Sequence, residues 1–448
     1  MNEVFDYVDR HASEFVRELQ GFLRQPSISA QGKGVEDAAR ILERMFSSLG
    51  ARVQVLRAGE AAPLVTAEIP GGGERTLLFY NHYDVQPPEP LDRWQHDPFG
   101  AEIDGGKVYA RGVADNKGDL VARVKAVQAL LDTRGNLPVT VKFVAEGEEE
   151  IGSPNLERYA REHPEVFRAD ACIWETGGRD EEGRLEITLG CKGLCYAHIE
   201  VDGGSFDLHS SLAAVVPNPA WRLVWALSSL KNDREEVLIP GFYDDVREPS
   251  PGEVALIEKL PADPGRLAKQ FGVDRLVLGL VGTEALKRLY FGPTCNVCGL
   301  SAGYEGPGSK TVLPSRAMAK LDMRLVPDQR PTDITRKFED YLRTKGCGDF
   351  RVTWLGAEHP ARTDPDSRIV KVLRETVVEL YAKEPLVFPT SAGTGPMYQV
   401  AAQFGTPAAG IGIGNVGSRV HGPDENVNVS DFLEGIKYMA LVLERFAG

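Results

Sequence analysis

The first 190 residues alternate between short apolar runs and amphipathic segments. Runs typical of buried strands cover residues 76–80, 139–145 and 171–174. Between them, apolar side chains at positions 120, 121, 124, 127 and 131 have helical spacing. Strands that alternate with helices predict an α/β fold, in which a mixed, mostly parallel sheet is flanked by helices.

The pattern changes near residue 192. Residues 194–201 resemble a strand, and residues 221–230 and 333–343 resemble helices. Positions 317, 319, 321, 323 and 325 are apolar, whereas 320, 322 and 324 are charged, which predicts a half-buried strand with one solvated face. This middle part is therefore expected to be an α+β domain.

The last 90 residues return to an α/β pattern. Residues 369–383 have helical periodicity, and a glycine-rich apolar stretch covers 408–414. We therefore expect residues 1–192 and 360–448 to form one domain, which the domain at 193–359 interrupts.

Composition and charge exclude some classes of function. The chain has 448 residues, of which 42% are hydrophobic, and its formal net charge is −14. An acidic balance disfavours sequence-independent binding to nucleic acid or anionic membranes. The N-terminal segment carries acidic residues early, and no apolar stretch of about 20 residues occurs. We expect a cytoplasmic protein that binds neither nucleic acid nor membrane.

Six cysteines give no recognisable zinc pattern. Cys295 and Cys298 have the spacing of a metal or redox pair, but no second such pair accompanies them. We interpret the cysteines as ordinary buried thiols in a reducing compartment.

Acidic and histidine residues follow the predicted strands. His82, the triple glutamate at 148–150 and Glu175 each follow an apolar run, and Asp115 comes just before the predicted helix. In open α/β sheets the carboxyl ends of the strands bind ligands. Three adjacent glutamates fit either a charged surface loop or the surroundings of a strong cation. Asp84, two residues after His82, is placed to orient the imidazole toward a metal.

Two divalent ions, about 3.5 Å apart, would account for this set of residues. They need a bridging carboxylate, terminal histidine and glutamate ligands, and one unliganded glutamate as a base. Zinc suits mixed nitrogen and oxygen ligands best, and manganese or cobalt also fits.

Motifs along nearly the whole chain resemble those of the M20 metallopeptidases, most closely the cytosolic nonspecific dipeptidase and carnosinase branch. They occur in the family's order and are YNHYDVQP at 80–87, WQHDPF at 94–99, GKVYARGVADNKG at 106–118, EGEEEIGS at 146–153, FDLHS at 206–210, KTVLP at 310–314, MRLVP at 323–327, GTGP at 393–396 and VHGPDE at 420–425.

This resemblance implies roles for the residues of the metal site. His82 and Glu175 would bind separate metals, and Asp115 would bridge them. The two sites would be completed by Glu150 and His421. The general base would be Glu149, which takes a proton from the bridging water and passes it to the leaving amine. Asp84 would orient His82, and the peptide between Asp115 and Asn116 would be cis.

The resemblance also implies that the middle domain is a lid that carries a homodimer interface. His209 would reach across the dimer and stabilise the oxyanion. Arg324, on the polar face of its predicted strand, would hold the substrate carboxylate. Thr311, Thr394 and Asn218 would contact the substrate.

The expected function is hydrolysis of the amide bond of dipeptides or small peptides with a free C-terminal carboxylate. Two departures from the dipeptidase branch keep alternatives open. That branch usually carries aspartate at the position of Glu175, and Arg-Glu-Gly-Gly-Ser where this chain has Thr-Ser-Ala-Gly-Thr at 390–394. A carboxypeptidase or an N-acyl-amino-acid deacylase is therefore the alternative. An inactive binding module on the same fold is a remote one, because all five ligand positions and Glu149 are filled.

Overall fold

The computed structural model describes residues 1–448. It contains fourteen α-helices, which are α1 (Asn2–Arg10), α2 (Ala12–Leu23), α3 (Val35–Ser48), α4 (Lys117–Arg134), α5 (Leu156–Glu162), α6 (Pro164–Phe167), α7 (Pro219–Leu230), α8 (Pro251–Lys259), α9 (Arg266–Phe271), α10 (Gly282–Phe291), α11 (Pro331–Thr344), α12 (Arg368–Tyr381), α13 (Met397–Val400) and α14 (Val429–Ala447). None of them combines the length and the apolar character that a membrane crossing requires.

Nineteen strands accompany the helices. They are β1 (Arg52–Leu56), β2 (Leu64–Ile69), β3 (Thr76–His82), β4 (Glu102–Asp104), β5 (Lys107–Tyr109), β6 (Thr140–Glu146), β7 (Ala171–Trp174), β8 (Glu186–Thr188), β9 (Gly190–Cys191), β10 (Gly193–Asp202), β11 (Leu208–His209), β12 (Asn296–Ala302), β13 (Val312–Leu313), β14 (Arg316–Leu325), β15 (Arg351–Glu358), β16 (Ala361–Arg362), β17 (Leu386–Phe388), β18 (Ala408–Gly410) and β19 (Asn426–Asn428).

The first of two compact units comprises residues 1–190, 362–390 and 396–448. Its eight-stranded sheet has the order β1-β2-β6-β3-β7-β18-β8-β17. The neighbours β6, β3, β7 and β18 run parallel, whereas β1 and β2 add an antiparallel edge. This mixed α/β sheet confirms the predicted fold class. Because parallel strands end at the same edge, the carboxyl ends of β6, β3 and β7 lie side by side.

Helix α4 is buried more completely than its sequence predicts. It packs on α14, α1, α2 and β3, and nearly every residue from Lys117 to Leu130 is inaccessible to solvent. The buried set includes three cations, Lys117, Arg123 and Lys125. The helix ends at Gly135, whose φ of 74° places it in the left-handed region that favours glycine.

The second unit comprises residues 191–361 and 391–395. Its four-stranded antiparallel sheet has the order β12-β14-β10-β15, and α7 and α11 pack on it. Strand β14 buries alternate residues, as its sequence predicts, since a half-buried strand points every second side chain into the core. That core includes Leu321, Met323, Phe338 and Leu223.

One boundary differs from the prediction. The segment Ser391–Gly395 was expected in the last part of the α/β domain, but it belongs to the second unit. The amide of Lys192 donates a hydrogen bond of 2.8 Å to the carbonyl of Gly393, and the hydroxyl of Thr394 donates one of 3.4 Å to the carbonyl of Gly193. These bonds join the short segment to the beginning of β10.

Candidate metal centre

Five side chains predicted to bind metal meet at the carboxyl edge of the parallel strands in the first unit. His82 is the last residue of β3, and Glu175 directly follows β7. Glu150 lies in a short 3₁₀ turn after β6. Asp115 comes just before α4, and His421 lies in the loop before β19. The ligand atoms of His82, Asp115 and Glu150 all lie within 4.8 Å of one another.

Asp115 lies between the two histidines. Its Oδ1 is 2.9 Å from Nε2 of His82, and its Oδ2 is 3.1 Å from Nε2 of His421. An oxygen of Glu175 lies 3.8 Å from the same nitrogen of His82, and an oxygen of Glu150 lies 3.2 Å from that of His421. The geometry therefore groups His82 with Glu175, in contrast to the expectation that these two residues serve separate ions.

Asp84 connects the end of β3 with the turn that carries Glu149 and Glu150. Its backbone carbonyl lies 3.1 Å from Nδ1 of His82, closer than its own carboxylate, which lies 3.5 Å away. The carboxylate oxygens instead accept hydrogen bonds from the amides of Glu149 and Glu150, at 3.2 and 3.1 Å. Asp84 thus orients the imidazole through its carbonyl and fixes the glutamate turn through its side chain.

The peptide bond between Asp115 and Asn116 is cis, as expected. A residue that the sequence analysis missed, Gln86, holds Glu150. Its amide and its side-chain nitrogen donate hydrogen bonds of 3.1 and 2.9 Å to the two carboxylate oxygens of Glu150. The only sequence signal for Gln86 is its place in the motif at 80–87, because a lone glutamine has no distinctive pattern.

Burial and mutual contacts set the charge states of this cluster. Burial raises the pKa of Glu149 to about 7 and the pKa of Glu175 well above its ordinary value. Burial also acts on Asp115, but hydrogen bonds with His421 and His82 outweigh it and hold the pKa of this carboxyl below its ordinary value. Hydrogen bonds with Asp115 and Glu150 raise the pKa of His421 to about 10.

The residues present fit a divalent-metal site. Oε2 of Glu175 is buried and has no hydrogen-bond partner. A buried carboxylate is costly unless it is paired or coordinates a metal. Four of the five ligands are largely shielded from solvent, with His421 half exposed. Three carboxylates and two imidazoles form the donor set that zinc, manganese or cobalt accepts.

The predicted substrate residues lie in the second unit. Nη1 of Arg324 donates a hydrogen bond of 2.6 Å to the hydroxyl of Thr394, and Nε donates one of 3.1 Å to Asp322. Strands β11 and β13 pair antiparallel, with His209 opposite Val312. Through this pairing His209 and Thr311 are brought close together.

His209 is exposed, and its Nδ1 contacts Ser211 at 2.8 Å. Thr311 is also exposed. Asn218 caps α7, since its Oδ1 accepts a 2.9 Å hydrogen bond from the amide of Ala220.

A family model described as Peptidase family M20/M25/M40 matches residues 78–445, which include every predicted ligand. The chain belongs to this peptidase family. It is an M20-type metallopeptidase, a dipeptidase-like amide hydrolase.

Curated relatives and solved structures place the chain more closely within the M20 family. The chain is 28% identical to the Cys-Gly metallodipeptidase of Schizosaccharomyces pombe, over 100% of this chain and 98% of that protein. It is 27% identical to the Beta-Ala-His dipeptidase of Homo sapiens, over 98% and 91%. A crystal structure of an M20 family metallo-carboxypeptidase from Sulfolobus solfataricus is similar with a TM-score of 0.90 and 41% identity, covering 97% of this chain and 99% of that one.

Two other sequence patterns in this M20 peptidase form no site. Cys295 is buried, as expected, whereas Cys298 on the edge strand β12 is exposed, and neither thiol forms a disulfide. Residues 299–303, Gly-Leu-Ser-Ala-Gly, have the spacing of a hydrolase nucleophile elbow. Residues 299–302 lie within β12, an antiparallel strand, and residue 303 follows it. A nucleophile elbow lies at a turn from strand to helix, so Ser301 does not occupy a nucleophile position.

Proposed function

We propose that this M20 peptidase is a two-metal hydrolase that cleaves the amide bond of dipeptides or small peptides with a free C-terminal carboxylate. The observation that carries the proposal is the position of Asp115 between His82 and His421, with one carboxylate oxygen toward each imidazole. Glu175 and Glu150 add a carboxylate beside each histidine. Two neighbouring divalent ions need this combination of a bridging carboxylate and terminal ligands.

Zinc is the preferred metal, and manganese or cobalt would also suit these ligands. Two such ions, when bound, would supply polarisation of the scissile carbonyl and a lower pKa for the attacking water. The same five residues would hold them: His82, Asp115, Glu150, Glu175 and His421.

Glu149 acts as the general base in this proposal. A carboxylate oxygen of Glu149 takes a proton from the attacking water and delivers it to the leaving nitrogen. Its support is the turn in which Glu149 lies, because Asp84 fixes the amides of both Glu149 and Glu150. No hydrogen bond engages the Glu149 carboxylate, whereas Gln86 engages that of Glu150. The carboxylate of Glu149 is thus the one left available for proton transfer.

Arg324 binds the substrate's α-carboxylate. Asp322 and Thr394 orient the guanidinium through Nε and Nη1, and Nη2 makes no hydrogen bond within the protein. A guanidinium held in this way presents a donor to a planar carboxylate. Thr394, Thr311 and Asn218 add hydrogen bonds to the substrate, and His209, supplied by a second subunit of a homodimer, stabilises the oxyanion.

A carboxypeptidase is the second candidate function. The metallo-carboxypeptidase structure shares 41% of its residues with this chain, more than either dipeptidase relative does. The presence of Glu175 and of Thr-Ser-Ala-Gly-Thr at 390–394 leaves the N-terminal side of the substrate undefined.

A substrate panel tests the proposal and separates the two candidates. Metal-loaded enzyme is assayed on a dipeptide, its N-acetylated form, its C-terminally amidated form and a longer N-blocked peptide. Rapid cleavage of the free dipeptide alone supports a dipeptidase, whereas release of the last residue from N-blocked peptides supports a carboxypeptidase. Elemental analysis of unchelated protein should give close to two ions per chain. Full activity after exhaustive chelation would overturn the two-metal proposal.

A further inference from the structure

Two buried arginines hold the backbone of the candidate metal centre, and they hold different parts of it. Neither contacts a metal-ligand side chain. Arg123 lies on α4, and Arg111 lies in the loop that leads to Asp115. Both side chains are 1% exposed. Burying a guanidinium costs free energy unless its N–H groups donate hydrogen bonds. The acceptors of each arginine therefore show which parts of the backbone it holds in place.

Arg123 joins the ends of two ligand-bearing strands. Its Nη1 donates hydrogen bonds to the carbonyl of Tyr80 at 2.7 Å and to the side-chain oxygen of Asn81 at 2.9 Å. Its Nη2 donates to the carbonyl of Trp174 at 2.7 Å and to that of Ile411 at 3.1 Å. Tyr80 and Asn81 directly precede His82 at the end of β3, and Trp174 directly precedes Glu175 at the end of β7. One guanidinium therefore fixes the spacing between the backbones of these two ligands.

Asn81 also links this set of hydrogen bonds to the loop that carries Asp115. The side-chain amide of Asn81 donates a hydrogen bond to the side-chain oxygen of Asn116, the residue after Asp115. Asn81 thus accepts from Arg123 and donates to the Asp115 loop.

Glu425 organises the other part of the centre. Its carboxylate accepts four hydrogen bonds, from Nη1 of Arg111 at 2.7 Å and from the amides of Gly112, Ala114 and Asp115 at 3.1, 2.9 and 3.1 Å. Nη2 of Arg111 then donates to the carbonyl of His421 at 3.1 Å. This buried pair fixes the backbone of the bridging aspartate relative to that of His421.

We propose that each half of the metal centre has its own positioning residues, with Arg123 for the half that contains His82 and Glu175, and the Arg111–Glu425 pair for the half that contains His421 and Glu150. The inference rests on the two-metal function proposed above. It predicts that the binding of each ion can be weakened separately by substitutions that leave every ligand in place. Residues that hold metal ligands in position typically change metal affinity by about 10- to 100-fold when they are replaced.

The test uses Arg123→Lys and Glu425→Gln in the full-length protein. Lysine keeps the positive charge but cannot reach acceptors on both strand ends at once. Glutamine keeps the shape of Glu425, but its nitrogen would face two donors in either orientation. These are Arg111 and Gly112 on one side and the amides of Ala114 and Asp115 on the other. Lys125→Met is the control for Arg123→Lys, because Lys125 is a buried cation of the same helix that bonds Glu18 and Gln128 instead of strand ends.

Glu253→Gln is the control for Glu425→Gln, since Glu253 is a buried carboxylate that caps α8 in the second unit. Metal-free proteins are titrated with zinc against a chromophoric chelator to obtain both stepwise dissociation constants. Reference variants Glu175→Gln and Glu150→Gln identify which ion each constant describes. The absorption bands of the cobalt-substituted proteins give a second readout of ligand geometry, and circular dichroism of the metal-free proteins checks the fold.

Arg123→Lys should lower the affinity for one ion by about 10-fold or more, and this should be the ion whose binding Glu175→Gln also weakens. Glu425→Gln should lower mainly the affinity for the other ion, whose binding Glu150→Gln weakens. Both controls should bind zinc as the unmodified protein does. Should Arg123→Lys not fold, Asn81→Ala, which breaks the link to Asn116 without removing the buried charge, should weaken the same ion as Glu175→Gln.

Equal weakening of both ions in the two variants, or no difference from the controls, would overturn the separate positioning while leaving the two-metal function intact. Failure of the unmodified protein to bind two ions would instead overturn the proposed function, and with it this inference.

Discussion

At the scale of single residues, neighbours in sequence have different surroundings. Glu149 and Glu150 are adjacent in a run of three glutamates, yet only the carboxylate of Glu150 is held by Gln86 and lies beside His421. The sequence predicts acidic ligands at this strand end, because the run follows a buried strand. Which glutamate takes which role depends on contacts with residues 64 and 271 positions away along the chain.

Replacing Glu149 by glutamine should preserve metal binding and reduce kcat by about 100- to 10,000-fold, because an amide cannot accept the proton of the attacking water. Glu150→Gln, the matched variant one position later, should instead lower metal affinity. Metal content and kcat are measured on the same preparations. If Glu149→Gln loses metal and Glu150→Gln keeps it, the two roles are reversed.

Arg324→Ala should remove recognition of the substrate carboxylate. When a bound substrate encloses the pair, loss of the charge partner of its carboxylate costs about 2–5 kcal/mol, which is roughly 30- to several-thousand-fold in kcat/KM. With the unmodified enzyme, an amidated substrate should be cleaved poorly, and Arg324→Ala should cleave the free and amidated forms at similar rates. Arg316→Ala is the control, since Arg316 is an exposed arginine at the start of the same strand. Equal rates on both substrates with the unmodified enzyme would refute the assignment.

At the scale of elements, the turn after β6 has little room to move. Gly147 immediately precedes the glutamates, and a Cβ there would lie 2.5 Å from Oη and 2.6 Å from Cζ of Tyr83. The Tyr83 ring is fully buried, and its hydroxyl donates a hydrogen bond to the carbonyl of Pro63. The ring cannot move away easily, so an added methyl group has to displace the turn.

Gly147→Ala should therefore destabilise the protein by about 1–3 kcal/mol, the usual cost of overpacking, and should also lower kcat/KM because the turn carries Glu149. The control is Gly21→Ala in the last turn of α2, where a Cβ meets nothing within 4 Å. That change should be neutral or stabilise by up to about 1 kcal/mol. Urea unfolding and kcat/KM are measured for both variants. The predicted clash is wrong if the two alanine variants behave alike.

At the scale of the whole molecule, the second unit exposes apolar side chains that a single chain leaves uncovered. Trp221 and Trp225 on α7 are 57% and 62% exposed and stack with ring centroids 5.9 Å apart, and Val215 is 79% exposed. Large exposed apolar groups that lie together are typical of an interface between subunits. They support the proposed homodimer, in which His209 acts on the partner's site.

Mixing inactive subunits tests both the dimer and the role of His209. His209→Ala and Glu149→Gln should each be inactive alone, and co-refolded mixed dimers should regain about one working site. In such a dimer the subunit that keeps Glu149 receives His209 from its partner. Light scattering measures the mass of each species. A fully active monomer would exclude the shared site, and a dimer without complementation would show that His209 acts within its own chain.

The sequence by itself determined the elements and the place of the chemistry. Continuous apolar runs predict β3 and β7, because strands buried on both faces carry apolar side chains throughout. Apolar positions with a period of two predict β14, and positions with a period of about 3.6 predict α4. The sequence also places His82 and Glu175 at strand ends, and parallel strands bring such ends to one edge.

Only the tertiary structure decided how these residues are paired. Arg111 and Glu425 are 314 positions apart in sequence, and Arg123 lies within a helix whose periodicity predicts one buried face rather than burial on all sides. The grouping of His82 with Glu175 and the transfer of residues 391–395 to the second unit likewise depend on contacts between distant segments. The physical reason is that a local pattern of apolar and polar residues shows which side chains are buried. The hydrogen-bond partner of a buried polar atom depends instead on packing between segments that are distant in sequence, and a local pattern carries no information about that packing.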